Sequence, residues 1–148
     1  MPSLPSDTAT ITVFTWKGVR TILETGGSQA WTVSRANAAR SKYLVCCRNR
    51  RDARVEGPEE HGSAFMIGRV TDVVLVPERS TDPRKPKRYK VAIDAWAPLH
   101  IPAVWQGWRL PFHYTTLEDL GIDLREISVA LSQRDSRRVI ANRSQSLR

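Results

Sequence analysis

Residues 61–76 read His-Gly-Ser-Ala-Phe-Met-Ile-Gly-Arg-Val-Thr-Asp-Val-Val-Leu-Val. Four apolar residues, Ala64, Phe65, Met66 and Ile67, run without a break. Gly68 and Arg69 interrupt them, Val70 resumes, and Val73 to Val76 continue until Pro77 stops the run. So many β-branched and apolar residues in so short a span predict a strand buried on both faces. Gly68 in its middle predicts a bulge or a close approach by a neighbouring backbone. Two folds accept such a strand. One is a small closed barrel, which needs strands that bend sharply; the other is any sheet in which this is an ordinary central strand with one tolerated glycine.

The strand needs a core around it, and a chain of 148 residues, 41% hydrophobic, can build one as a single domain. The boundaries fall as a loose leader at 1–9, a folded domain at 10–132 and a basic extension at 133–148. The net charge is +8 and the pI about 10.2. Such an excess points to a polyanionic partner, nucleic acid or an acidic membrane surface, with solubility alone as the plain alternative. Most of the cations are arginines, which suit bidentate contacts to phosphates and base edges. No apolar run is long enough to span a bilayer, and the first residues lack the pattern of a secretory signal. Cys46 and Cys47 are adjacent, so on a strand they face opposite ways and share neither a disulfide nor a metal. Reduced, structural cysteines and a cytoplasmic location are expected.

Residues 10–16, Thr-Ile-Thr-Val-Phe-Thr-Trp, alternate and form a first strand, with Ile11 and Val13 on one face and Thr12, Phe14 and Trp16 on the other. Residues 19–24 fit a short helix or an extended piece equally. Thr25-Gly-Gly-Ser28 reads as a loop leading to Trp31. Ser34 caps a helix of about two turns. Residues 43–48 form a buried strand, and 49–60 an exposed polar loop. Residues 78–88 form a positive loop with Arg79, Arg84, Lys85, Lys87 and Arg88. Residues 89–96 are a strand, with Tyr89, Val91, Ile93 and Ala95 on one face. Pro98, Pro102 and Pro111 forbid a long helix beyond it, and 108–114 suit a last strand. Thr115 with Glu118 reads as a capping box for a short helix. Asp123 caps another, with Leu124, Ile127 and Leu131 at helical spacing.

The chain carries no nucleotide phosphate loop, no paired-cysteine motif and no histidine pair spaced for a metal, so neither metal nor cofactor is expected. The acidic pair Glu118-Asp119 is explained by helix capping. What remains is five tryptophans in a basic chain: Trp16, Trp31, Trp96, Trp105 and Trp108. Stacking of unpaired bases on aromatic rings in a cationic groove is worth about 1–3 kcal/mol per base. Packing explains Trp105 and Trp108 as well as ligand contact does. Trp31, between a Gly-Gly-Ser loop and a helix cap, is the candidate pocket wall, and Trp16 beside Lys17 the next.

The order of these elements resembles the PUA-like superfamily, above all its EVE and YTH branches. The resemblance rests on Trp16-Lys17 at the end of the first strand, Trp31-Thr32-Val33-Ser34 and the strand 43–49. It continues through Ala64-Phe-Met-Ile-Gly68-Arg-Val and Tyr89-Lys-Val-Ala-Ile, covering roughly residues 10–115. It implies an α+β fold, a small twisted PUA-like β-barrel of five to six strands flanked by short helices. It also implies a pocket for a flipped or single-stranded, modified base. Trp31 matches a cage tryptophan of the YTH branch, Thr15, Trp16 and Lys17 match its pocket lining, and Asn49 matches an asparagine ending the third element. The loop 50–60 departs from the pattern, and Trp96, Trp105 and Trp108 compete for the second cage position.

The expected function is a module that binds nucleic acid, DNA or RNA. Trp31, Trp16, Lys17, Thr15, Ser28 and Asn49 form the base pocket, and Arg84, Lys85, Lys87, Arg88, Arg137 and Arg138 hold the backbone. The alternatives are an ASCH-like enzyme using His61, Lys17 and Asp94 in the same pocket, or a protein-interaction module presenting Trp105 and Trp108.

Overall fold

The structure, a computed structural model, describes residues 7–77 and 84–132. The leader up to residue 6, positions 78–83 of the basic loop, and the C-terminal extension with Arg137 and Arg138 lie outside the described residues.

The elements follow as β1 (Ala9–Thr15), α1 (Val19–Thr25), β2 (Gly27–Trp31), α2 (Arg35–Ala39), β3 (Tyr43–Arg48), β4 (Ala64–Leu75), β5 (Tyr89–Ile101) and β6 (Phe112–Thr116). A helix at 124–132, α3, comes last. The six strands form one mixed sheet in the order β2-β5-β4-β3-β1-β6. β1 and β3 run parallel, and the other neighbours antiparallel. The fold is therefore α+β as expected, but β2 and β6 are not paired with each other, so the sheet is open where a closed barrel was expected.

Both faces of the sheet carry a core. Ile11, Val13, Leu44, Cys46, Met66 and Val91 pack on one side with Ile22 of α1 and Ala38 of α2. Val45, Cys47, Ile67, Ala95 and Ala97 pack on the other with Ile127 and Leu131 of α3. Successive residues of β3 thus alternate between the two cores, and Cys46 and Cys47 face opposite ways, as the two-residue period requires. Both thiols are free and buried.

β4 is buried through Gly68, but Thr71, Asp72, Val74 and Leu75 are exposed. Its pairing with β3 stops at Arg69 while its pairing with β5 continues to Leu75, so the far end of β4 is a free edge beside β5, which carries β2 on its other side. A Cβ on Gly68 would lie 2.8 Å from Cδ1 and Cγ2 of Ile93. The close approach expected there is made by a side chain rather than a backbone.

Four local readings change. Gly27 and Ser28 belong to edge strand β2 and not to a loop; Gly26 alone, in the left-handed conformation, makes the turn out of α1. β5 runs on through Pro98 to Ile101. Pro98 is tolerated because β2 accompanies β5 only at its start, and an edge position needs no N–H. The strand after the proline-rich segment starts at Phe112. The cap is Thr116, whose Oγ1 accepts the Asp119 N–H at 3.2 Å, and residues 117–121 form turns rather than a helix. Glu118 instead accepts the hydroxyl of Thr8 at 2.7 Å. The remaining caps are as read: Ser34 accepts the Asn37 N–H, and Asp123 the Arg125 N–H.

Among the described residues, no helix is long and apolar enough to cross a membrane.

Candidate functional site

The parallel pair β1–β3 ends in Thr15 and Arg48 side by side. Arg48 closes an apolar strand, and its side chain is fully buried. Its Nη1 donates to the carbonyls of Thr15 at 3.1 Å and Lys17 at 2.7 Å, and its Nε to Glu59 at 2.9 Å. Its Nη2 lies 2.9 Å from the same Glu59 oxygen, an ion-pair contact not aligned as a hydrogen bond. One guanidinium thus fixes the chain leaving β1 to the loop after β3. Glu56 adds a second tie. It accepts the Gly18 N–H and the Thr21 hydroxyl, each at 2.8 Å, and these bonds, the Gly18 N–H first, hold its carboxyl below its ordinary value.

These ties leave a cleft of about 380 Å³ above the end of β1. Thr15, Trp16, Lys17, Trp31, Asn49 and Arg88 line it, and so do Phe14, Gln29, Asp52 and Arg54. Five of the six residues assigned to the base pocket therefore meet around one cavity, from three separate segments. The sixth, Ser28, is buried behind it and accepts the Trp31 Nε1–H at 2.9 Å, so it orients the indole rather than lining the cleft. Of the backbone-binding set, Arg88 reaches the cleft; Arg84, Lys85 and Lys87 are exposed and do not line it.

Trp31 is half-buried and packs in part against the first core. Among the described residues, no aromatic ring or cation stacks on it. Trp16 differs, because the Arg54 guanidinium sits 4.4 Å from its ring centre and Lys17 Nζ 5.7 Å away. Asp52 anchors Arg54 through both carboxylate oxygens, at 3.0 and 2.8 Å. That bond, with the Arg54 backbone N–H, holds Asp52 down to about 2. Beside the Asp52–Arg54 pair, Lys17 and Arg88 also line the cleft. Asn49 Oδ1 accepts the Arg51 N–H at 3.0 Å, which leaves its amide hydrogens to donate.

The groups considered for catalysis do not converge. Lys17 lines this cleft, His61 lines a different one, and Asp94 pairs with Arg69 at 2.9 and 3.0 Å. Among the described residues, no group of three or more histidines, cysteines and carboxylates is placed to hold a metal ion. Trp105 and Trp108, considered as a protein contact, are half-buried and belong to a row of packed rings with Phe14 and His113.

Sequence reasoning missed Arg48, Arg54 and Asp52. Arg48 carried a signal, a charge at the end of a fully apolar strand with Glu59 in the following loop. The Asp52–Arg54 pair had none beyond its spacing within a charged loop.

No protein-family model, curated protein or solved structure matches the chain.

Proposed function

We propose that this chain is a PUA-like nucleic-acid reader that takes a flipped or single-stranded base into the cleft between Trp31 and Trp16. The observation that carries this reading is the meeting of Thr15, Trp16, Lys17, Trp31 and Asn49 around one cavity with Arg88 at its edge. A flat heterocycle lies against the Trp31 indole, on which no ring or cation of the described residues stacks. Asn49 offers donors to a base edge, and Lys17 and Arg88 meet the adjoining phosphates.

Binding to short DNA and RNA oligonucleotides, with and without modified bases, tests this. The parent prefers one base or modification. Trp31→Ala removes that preference and keeps most of the salt-sensitive affinity. A Trp31→Ala protein as selective as the parent would falsify the assignment.

A further inference from the structure

A second cleft, of about 420 Å³, opens on the other side of Phe14. Phe14 lines both cavities. The second is lined also by Arg51, His61, Trp105, Trp108 and Arg109, and no carboxylate among the described residues lines it. Its frame is held by backbone hydrogen bonds: Phe14 N–H to Pro111 at 2.9 Å, and Trp105 N–H to Gly62 at 2.9 Å. The Phe14 and Trp105 rings are stacked with centres 4.6 Å apart and planes 3° apart, and Trp108 meets Trp105 edge-on at 4.7 Å. His61 Nδ1 accepts the Arg50 N–H at 3.1 Å, which leaves the Nε2 side to donate.

The loop after β3 rims both cavities. Asn49, Asp52 and Arg54 face the first, and Arg51 and His61 the second. A strand laid along this loop passes from one to the other around Phe14. The second cavity offers indole surface, two guanidiniums and a histidine donor, with no competing carboxylate among the described residues. That chemistry fits an anion joined to a flat ring.

We infer that the second cleft binds the nucleotide next to the one held by Trp31, with its phosphate against Arg51 and Arg109 and its base against Trp105 and Trp108. This rests on the proposed function and gives the reader a footprint of two adjacent nucleotides.

The test uses mixed-sequence deoxyribo- and ribonucleotides of one, two and three units, titrated into the parent, Arg51→Ala/Arg109→Ala and Trp31→Ala. Both arginines are exposed, so their replacement leaves the fold intact. The parent gains about ten- to hundredfold in affinity from one unit to two. In the double-arginine variant this step falls several-fold, to what the Trp105 and Trp108 rings alone supply, while single units bind as in the parent. In Trp31→Ala single units bind more weakly and the step persists. A parent without the step, or a step unchanged in the arginine variant, overturns the second subsite and leaves the first cleft standing. Single units that bind equally well to Trp31→Ala overturn the first cleft and, with it, the adjacency.

Discussion

The Arg48 guanidinium lies 4.0 Å from the centre of the Phe65 ring. The pairing of β3 with β4 steps from Cys46–Met66 to Cys47–Ala64, so Phe65 is the extra residue of a bulge. The bulge puts Phe65 and Met66 in the same core and sets an aromatic face against the buried charge. A sheet irregularity therefore supports the group that organises the cleft.

Arg48→Met keeps the bulk and removes the donors to Thr15, Lys17 and Glu59. Arg48→Ala removes both and is expected to cost about 2–5 kcal/mol, the range for truncating a large buried side chain to alanine. Urea unfolding measures the cost. Arg48→Met is expected to lose less stability, yet to bind poorly, because the chain after β1 is no longer tied to the loop. If Arg48→Met binds as the parent does, Arg48 does not position the cleft.

The Asp52–Arg54 pair gives a pH prediction. Asp52 has its carboxyl lowered from the ordinary 3.8 to about 2 in the fold. A lowered carboxyl contributes stability that is present above 3.8 and is lost as pH falls through about 2. Carboxyl NMR shifts should follow Asp52 titrating near 2 in the parent and near its ordinary value in Arg54→Ala. Fluorescence of Trp16 should change over the same range as Arg54 leaves its ring.

Much of this architecture was legible. β3 announced itself as a continuous apolar run, and α2 through Ser34 as its cap. β2 did not, because Gly27, Ser28 and Gln29 are poor strand formers and the strand exists through its pairing with β5. Barrel closure was not legible either, since it depends on whether two edges far apart in sequence meet. The first cleft was found through Trp31 and Trp16. The second was missed because Arg51 and His61 stand ten residues apart in one irregular loop and Arg109 in another, joined only by the rings around Phe14.

Cys46 and Cys47 make a prediction at alkaline pH. Burial raises both thiols, Cys47 to about 12 and Cys46 further, where the neighbouring Cys47 adds to the effect. A thiol raised in the fold releases its proton more readily when unfolded, so stability falls as pH rises above the ordinary 9.0. Thermal unfolding should therefore show a lower midpoint at pH 10 than at pH 8, and Cys46→Ala/Cys47→Ala a smaller drop. Neither thiol should react with an aromatic disulfide reagent until the protein is unfolded.

The basic loop is tested by salt. Each phosphate of a single strand that a cation neutralises adds about 0.7 to the slope of log affinity against log salt. Replacing Arg84, Lys85, Lys87 and Arg88 with glutamine should therefore flatten that slope by the same amount for every phosphate the loop grips. Arg88→Gln alone should weaken binding to every base about equally, because Arg88 meets a phosphate at the cleft rather than a base edge. A quadruple variant with the parent's slope would remove the loop from the footprint.

Gly27 links the sheet to the site. A Cβ there would strike the carbonyl oxygen of Val91 and lie 2.8 Å from the Cα of Ala92, so β2 reaches β5 only with glycine at this position. Backbone cannot yield as a side chain can, so Gly27→Ala should push β2 outward and carry Trp31 with it. Gly68→Ala is the comparison, since the obstacle there is the Ile93 side chain. Overpacking of this kind costs about 1–3 kcal/mol, and both variants should unfold at lower urea concentration. Their binding should differ. Gly27→Ala should lose base preference as Trp31→Ala does, because the indole has shifted. Gly68→Ala should keep it, because that clash lies between β4 and β5 and leaves β2 in place. Equal preference in the two variants would mean that the docking of β2 does not set the position of Trp31.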